Sequence, residues 1–274
     1  MLNLFTKIPI FHIASMARSG ETVLLRSLAA HSRIQIVHNL EKQETENSIR
    51  LFNYLKNSQD DKIGAKNKYA KHCCLKKGEI LLLKQGVWEH KYDFNGIILS
   101  RNPISIFASL KVYDEDGFGN GNDWQRTWLL RNTERLSRWL KDIDAKLLYG
   151  FDKLSPIDQF CLFYNRRMGG LIKTNKPILY YENFVENPEK ELRFLISEMG
   201  LQFENAVLKS HKKFKKGEEG HGKNDLSQPI KPDSLLKYKA VITKEEFQEI
   251  NEKTSNVSKL YGYNVNWNKI ELSR

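Results

Sequence analysis

The sequence predicts an α/β protein of three layers, α/β/α, in which helices cover both faces of a central, mostly parallel sheet. Short apolar runs that suit buried parallel strands alternate with longer segments whose apolar residues recur at helical spacing. The first apolar run leads directly through a short turn into a helix. The 274 residues show no internal repeat and no second domain, so we expect a single domain over residues 1–274.

The predicted elements follow from this alternation and from helix boundary signals. Pro103 suits the first turn of one helix, and Gly200 suits the end of another. Residues Lys212–Pro232 are rich in lysine and glycine and predict a long loop. The predicted strands are Ile8–Ala14, Ile34–Val37, Ile80–Leu83, Ile97–Ser100 and Pro177–Tyr181. The predicted helices are Glu21–His31, Glu41–Lys56, Ile104–Val112, Trp124–Leu140, Pro156–Lys173, Pro188–Met199 and two that cover residues 233–239 and 243–256.

The net charge points to an anionic ligand or partner. Lysine and arginine total 44 and aspartate and glutamate total 33, which gives +11. The sequence contains no RNP motif, no zinc-finger spacing and no basic region with heptads, which are the signals of common nucleic-acid binders. We therefore expect no nucleic-acid partner.

Cysteine usage and the absence of targeting signals favour a cytoplasmic protein. The three cysteines, Cys73, Cys74 and Cys161, suit a reducing compartment better than a disulfide framework. Adjacent cysteines chelate zinc poorly and no second pair completes a site, so we expect no metal. No apolar stretch reaches the length of a membrane span, and the N-terminus lacks the pattern of a signal peptide.

The turn after the first strand has the layout of an anion site. It contains Arg18, Ser19 and Gly20, and the following helix begins with Glu21 and Thr22. Free N–H groups at a helix N-terminus bind anions, and glycine lets the backbone approach a ligand closely. This strand, turn and helix are P-loop-like, although an ordinary βα turn with a surface arginine would have the same sequence pattern.

Basic residues also follow other predicted strands. Ligands of parallel sheets bind beyond the carboxyl ends of the strands, where we expect His38, Lys84, Arg101 and Tyr181. Ser109 comes eight residues after Arg101 on the next predicted helix, so a guanidinium and a hydroxyl can hold one phosphate together. The alternative is that Arg101 is a buried arginine that pairs with a carboxylate.

These segments resemble the sulfotransferases that use 3′-phosphoadenosine 5′-phosphosulfate (PAPS). The resemblance spans residues 8–240 and keeps the order of the family's motifs. It implies that the turn binds the 5′-phosphosulfate, that Arg101 and Ser109 bind the 3′-phosphate, that Tyr181 reaches the adenine, and that a late basic loop covers the 3′-phosphate. The PAPS-binding residues implied in this way are Arg18, Ser19, Gly20, Glu21, Thr22, Val23, Arg101, Ser109, Tyr181, Lys215, Lys216, Gly217 and Lys223.

Two departures from the family pattern affect the expected chemistry. Glu21 replaces a threonine, and a carboxylate there repels the ligand unless it points away or pairs with Arg18. Gly86 occupies the position of the catalytic histidine of animal small-molecule sulfotransferases. We therefore expect His38 to be the base, with Glu41 and Glu21 as fallback candidates and His90 and His221 as weaker ones. Lys84 and Arg18 are the expected catalytic cations, although Lys84 can also be an ordinary surface lysine.

The resemblance implies transfer of a sulfuryl group from PAPS to a hydroxyl or amine acceptor, with release of 3′,5′-ADP. A carbohydrate or glycolipid acceptor is favoured, a small phenol or alcohol stays open, and the sequence leaves the oligomeric state open. One alternative is a P-loop-type nucleotide-dependent kinase, although Glu-Thr stands where such a kinase has Lys-[ST]. The other is a non-catalytic binder of nucleic acid or an anionic polymer, which the net charge suggests.

Overall fold

A computed structural model of the chain describes residues 10–36, 78–85, 94–113, 153–218 and 225–273. Strands in these ranges are β1 (Ile10–Ser15), β2 (Ile34–Ile36), β3 (Ile80–Gln85), β4 (Gly96–Ser100), β5 (Ile178–Tyr180), β6 (Tyr263–Val265) and β7 (Ile270–Leu272). Helices are α1 (Glu21–Leu28), α2 (Pro103–Tyr113), α3 (Pro156–Ile172), α4 (Tyr181–Glu186), α5 (Pro188–Glu198) and α6 (Lys244–Leu260). Segments of 3₁₀ helix cover Asn205–Lys213, Pro232–Ser234 and Lys237–Ala240.

The central sheet has five strands in the order β2-β3-β1-β4-β5. The middle strand, β1, runs parallel to both of its neighbours, with Ile13 opposite Lys84 of β3 and Ser15 opposite Leu99 of β4. Every residue of β4 is buried, as expected for a strand that is covered on both faces. The predicted mixed α/β class, with a central parallel sheet flanked by helices, is confirmed.

The described residues form two compact units. The first contains the sheet with α1, α4 and α5, and the second contains α2, α3, α6 and the β6–β7 hairpin. A single domain over residues 1–274 stays a prediction. The first unit draws on Met1–Ser15, Gly20–Leu99 and Pro177–Lys231, and the second draws on Met16–Ser19, Ser100–Lys176 and Pro232–Arg274.

In the first unit, α1 is packed against a distant part of the chain. Leu24, Leu25 and Leu28 are buried, and the helix contacts the 3₁₀ segment Asn205–Lys213. Arg26 is also buried and donates from Nη1 to the carbonyl oxygen of Leu226 at 2.8 Å. Burial lowers the pKa of Arg26. The position of α1 therefore depends on residues nearly two hundred positions later in the chain.

In the second unit, α6 holds α2 and α3 together. Thr243 and Glu246 form a capping box at the N-terminus of α6. The carboxylate of Glu246 also accepts hydrogen bonds from Nζ of Lys111 on α2, at 3.0 and 3.1 Å. At its other end, the helix runs into Tyr261, whose hydroxyl donates to the carbonyl oxygen of Met168 in α3 at 2.9 Å.

Most predicted elements in the described ranges are present, with ends shifted by a few residues. The predicted strand that ended at Tyr181 is shorter, and Tyr181 begins the unpredicted helix α4. The predicted helix over residues 233–239 is wrong, because Pro232–Ser234 and Lys237–Ala240 form two separate 3₁₀ turns in its place. The β6–β7 hairpin was not predicted, and the predicted helices Glu41–Lys56 and Trp124–Leu140 lie outside the described residues. Across the ranges given above, no helix is both long and apolar enough to cross a membrane.

Candidate functional site

The turn between β1 and α1 has an unusual backbone. Arg18 and Gly20 both adopt positive φ, at 71° and 99°. The N–H of Ser19 donates to the carbonyl oxygen of Met16 at 3.2 Å, and the Ser19 side chain is fully buried. Within the described ranges, Ser19 Oγ has no hydrogen-bond partner and no side chain caps the N-terminus of α1. The turn therefore offers a buried hydroxyl and uncapped helix N–H groups, which are donors that suit an anion.

Tyr181 lies against the glycine of this turn. A Cβ atom at Gly20 would be 2.2 Å from Cδ2 and 2.3 Å from Cε2 of Tyr181. The tyrosine is only 7% exposed, so its ring has little room to move aside. Gly20 is thus required twice, by its positive φ and by the close approach of the ring.

Glu21 is buried at the first position of α1. Its Oε1 accepts a hydrogen bond from Ser15 Oγ at 2.9 Å, and the residue is 4% exposed. The carboxylate therefore faces the last residue of β1. Sequence reasoning missed Ser15, although a hydroxyl at the end of an apolar strand was a visible signal. Thr22 and Val23, in the same helical turn, are half-buried.

The two predicted phosphate motifs meet in a group of three residues, Arg18, Arg101 and Ser109, which we call the arginine cluster. Nε of Arg18 donates to Ser109 Oγ at 3.1 Å, across 91 positions of sequence. Nη1 of Arg101 donates to the carbonyl oxygen of Arg18 at 3.0 Å, across 83 positions. Arg101 is buried, whereas Arg18 and Ser109 are half-buried. The Arg18 guanidinium thus contacts the Ser109 hydroxyl, and the Arg101 guanidinium contacts the Arg18 backbone. Guanidinium and hydroxyl donors grouped in this way can hold a phosphate through charge-assisted hydrogen bonds.

The helix that carries Ser109 has a side-chain cap that fixes its start. Asn102 is fully buried, and its Oδ1 accepts a hydrogen bond from the N–H of Ser105 at 2.8 Å. Its Nδ2 donates to Ser105 Oγ at 3.1 Å. The Asn-Pro pair at residues 102–103 was the signal for this cap, since asparagine is favoured as the N-cap and proline at the first helical position. Ser105 is therefore held within the cap, one helical turn before Ser109.

The remaining predicted residues are spread over other parts of the chain. Lys84 lies in β3, opposite Ile13. Lys215, Lys216 and Gly217 form an exposed turn that closes with a 2.9 Å hydrogen bond from the N–H of Lys215 to Glu218 Oε2. Outside the described residues lie Cys73, Cys74, His38, Glu41, Gly86, His90, His221 and Lys223.

Comparison with known proteins gives only distant structural likenesses. No protein-family model and no curated protein matches the chain. The sulfotransferase domain from the Synechococcus PCC 7002 olefin synthase is similar over 94% of this chain and 95% of its own, with 16% identity and a TM-score of 0.48. The sulfotransferase domain from the curacin biosynthetic pathway shares 17% identity over 91% of this chain and 99% of its own, with a TM-score of 0.45. A mouse sulfotransferase complexed with PAP shares 15% identity over 92% of this chain and 84% of its own, with a TM-score of 0.46. At these identities and TM-scores, the likenesses assign neither a residue role nor a substrate to this chain.

Proposed function

We propose that this protein is a sulfotransferase that moves a sulfuryl group from PAPS to a hydroxyl or amine acceptor and releases 3′,5′-ADP. The observation that carries the proposal is the arginine cluster. Arg18 comes from the first predicted phosphate motif, and Arg101 and Ser109 come from the second, yet the three are joined by direct hydrogen bonds. Arg18 follows β1 and Arg101 follows β4, and these neighbouring parallel strands bring both arginines to the edge of the sheet where ligands of parallel sheets bind.

The donors of the site suit the two anionic groups of PAPS. In the proposal, Arg101 and Ser109 bind the 3′-phosphate, and the turn with Arg18, Ser19 and the N-terminus of α1 binds the 5′-phosphosulfate. A buried hydroxyl without a partner, such as that of Ser19, costs roughly 1–3 kcal/mol. An oxygen of the bound anion would remove this cost, which is the physical support for placing the ligand there.

The remaining PAPS contacts in the proposal come from residues outside the arginine cluster. Tyr181 would reach the adenine from its position beside Gly20. The exposed turn of Lys215, Lys216 and Gly217, together with Lys223, would cover the 3′-phosphate. Two ammonium groups in an exposed turn can close over a bound anion without first breaking a buried ion pair.

The chemical step needs positive groups and a base. PAPS supplies the sulfuryl group, and Arg18 and Lys84 would stabilise the charge that develops on the bridging and sulfuryl oxygens. His38 would accept the proton of the acceptor at a ring nitrogen, with Glu41 as the next candidate. Glu21 is less suited to this task, because its carboxylate already accepts a hydrogen bond from Ser15 and is buried. A carbohydrate or glycolipid acceptor and a cytoplasmic location complete the proposal.

Nucleotide binding by the wild-type protein tests the proposal. We expect isothermal titration to show much tighter binding of 3′,5′-ADP than of 5′-AMP, because only the former carries the 3′-phosphate. Arg101→Ala should weaken 3′,5′-ADP by about 10- to 100-fold, as expected for the loss of hydrogen bonds to a charged group. It should weaken 5′-AMP much less, because that ligand loses only the support that Arg101 gives to the carbonyl group of Arg18. Arg193→Ala, which removes an exposed arginine paired with Glu189, is the charge-matched control and should change neither.

Other outcomes would favour the alternatives. Stabilisation by ATP with Mg²⁺ but not by 3′,5′-ADP would support a kinase. Binding of an anionic polymer that falls steeply with salt, without selectivity for the 3′-phosphate, would support a non-catalytic binder. If nucleotide binding is as expected, transfer of labelled sulfate from PAPS to a panel of saccharides and phenols identifies the acceptor. His38→Ala should then abolish transfer without weakening 3′,5′-ADP.

A further inference from the structure

A buried hydrogen bond links the C-terminal hairpin to the residue that precedes Arg101. The hydroxyl oxygen of Tyr263 in β6 lies 3.2 Å from Ser100 Oγ, and either group can donate. Ser100 is fully buried and Tyr263 is 4% exposed, so water does not compete for this bond. Ser100 is the last residue of β4, and Arg101 leaves the strand directly after it.

The hairpin is fixed by interactions that do not involve Ser100. Tyr263 pairs with Leu272 of β7, and the N–H of Ser273 donates to the carbonyl oxygen of Gly262 at 2.7 Å. The hairpin also contacts α6, which is packed on α3. The Tyr263 hydroxyl is therefore carried by a hairpin whose position is fixed by its own pairing and by contact with α6.

The position of Ser100 matters because of the side chain that follows it. The Arg101 guanidinium stands at the end of a long side chain, so a small rotation of the backbone at residues 100–101 displaces it by a larger distance. Hydrogen bonds from a guanidinium to a phosphate tolerate little displacement, since they weaken steeply as the angle departs from linearity. Asn102 fixes the backbone on the C-terminal side of Arg101, and Ser100 is the corresponding residue on the N-terminal side.

We propose that Tyr263 is a positioning residue for the 3′-phosphate: through Ser100 it fixes the backbone from which Arg101 reaches the ligand. This inference rests on the proposed function, because it assigns Tyr263 a role in recognising the group that distinguishes 3′,5′-ADP from 5′-AMP. It also gives the C-terminal hairpin a function, since the hairpin carries none of the residues that the sequence motifs identify.

The test is the selectivity of nucleotide binding in a pair of matched variants. Tyr263→Phe removes the hydroxyl and should lower the ratio of 3′,5′-ADP affinity to 5′-AMP affinity by about three- to tenfold, as expected for one hydrogen bond. Tyr261→Phe is the control, because it removes an equally buried hydroxyl two residues away that donates to Met168 instead. Both variants should lower Tm by similar amounts, but Tyr261→Phe should leave the affinity ratio unchanged.

A second variant breaks the same bond from the other side. It is needed because Tyr263 makes a further interaction besides the one with Ser100, and it serves equally if Tyr263→Phe does not fold. Ser100→Ala should lower the affinity ratio as much as Tyr263→Phe, and the double variant should lower it no further than either single one.

Each outcome has a distinct meaning. If the wild type does not distinguish 3′,5′-ADP from 5′-AMP, the proposed function itself fails. If the wild type does and Ser100→Ala keeps the full ratio, the positioning role of Tyr263 is overturned while the proposed function stands. An equal loss in Tyr261→Phe would also overturn it, because the hairpin would then act only through overall stability.

Discussion

Replacement of Gly20 by alanine tests the geometry of the turn most directly. The added Cβ would lie 2.2 and 2.3 Å from two ring carbons of Tyr181, which is far inside van der Waals contact. The residue would also have to keep a φ of 99°, which costs an L-residue roughly 1–2 kcal/mol. Overpacking against a buried ring adds about 1–3 kcal/mol. We therefore expect Gly20→Ala to destabilise the protein by about 2–5 kcal/mol in urea unfolding and to lower Tm by roughly 5–15 °C.

A second glycine separates the two contributions. Gly200 also has a positive φ, at 68°, but a Cβ there would meet no atom within 4 Å. Gly200→Ala should therefore show the backbone cost alone. In a double-mutant cycle, Tyr181→Ala should remove the clash, so that Gly20→Ala costs at least 1 kcal/mol less when the ring is absent. If Gly20→Ala costs no more than Gly200→Ala, the close contact between the turn and Tyr181 does not exist in solution.

Two further predictions concern buried ionisable groups. Burial raises the pKa of Glu191, so the folded protein holds this proton more tightly than the unfolded chain, and stability is lost as pH rises through the folded-state pKa. Glu191→Gln should raise Tm at pH 7.5 and have little effect on Tm at pH 4. Glu189 is exposed, so the control variant Glu189→Gln should give no such rise in Tm. A rise in Tm for Glu191→Gln that is the same at both pH values would contradict this reasoning. Burial raises the pKa of the Cys161 thiol to about 12, so iodoacetamide at pH 8 should leave Cys161 unmodified in the native protein and alkylate it after unfolding, as read by peptide mass. Rapid alkylation in the native protein would show that α3 opens around this thiol.

The sheet could be predicted from sequence because its strands are apolar on both faces. A run such as Ile97–Ser100 has apolar residues on both faces, so it predicts a buried strand even when the adjacent strands of the sheet are not known. The hairpin could not be predicted in the same way. Each of its strands has three residues, which is too short for an alternation of apolar and polar residues to be distinguished from chance. Tyr263 and Val265 do face inward while Asn264 is exposed, but the pattern becomes visible only when β7 pairs with it.

In the candidate site too, some features can be predicted from residues that are close in sequence, whereas others depend on contacts between residues that are far apart in sequence. Arg101 and Ser109 are recognisable in sequence because strand and helix geometry relate residues that are near each other in the chain. Their contact with Arg18 depends on the order of strands in the sheet, since β1 and β4 are neighbours although β2 and β3 come between them in sequence. Tyr263 carries no signal of its own, because its role depends on a partner 163 positions away.

Glu21 is the clearest example of a residue whose meaning depends on its partner. By sequence it is a negative charge in a turn that should attract anions, and Coulomb repulsion alone would count against the proposed ligand. In the structure, the carboxylate is buried and accepts a hydrogen bond from Ser15. A carboxylate at the first position of a helix is also stabilised by the positive end of the helix dipole. Whether a side chain fits a phosphate motif therefore depends more on the group that it faces than on its residue type. Glu21 is better described as one half of a buried pair with Ser15 than as a defect in the motif.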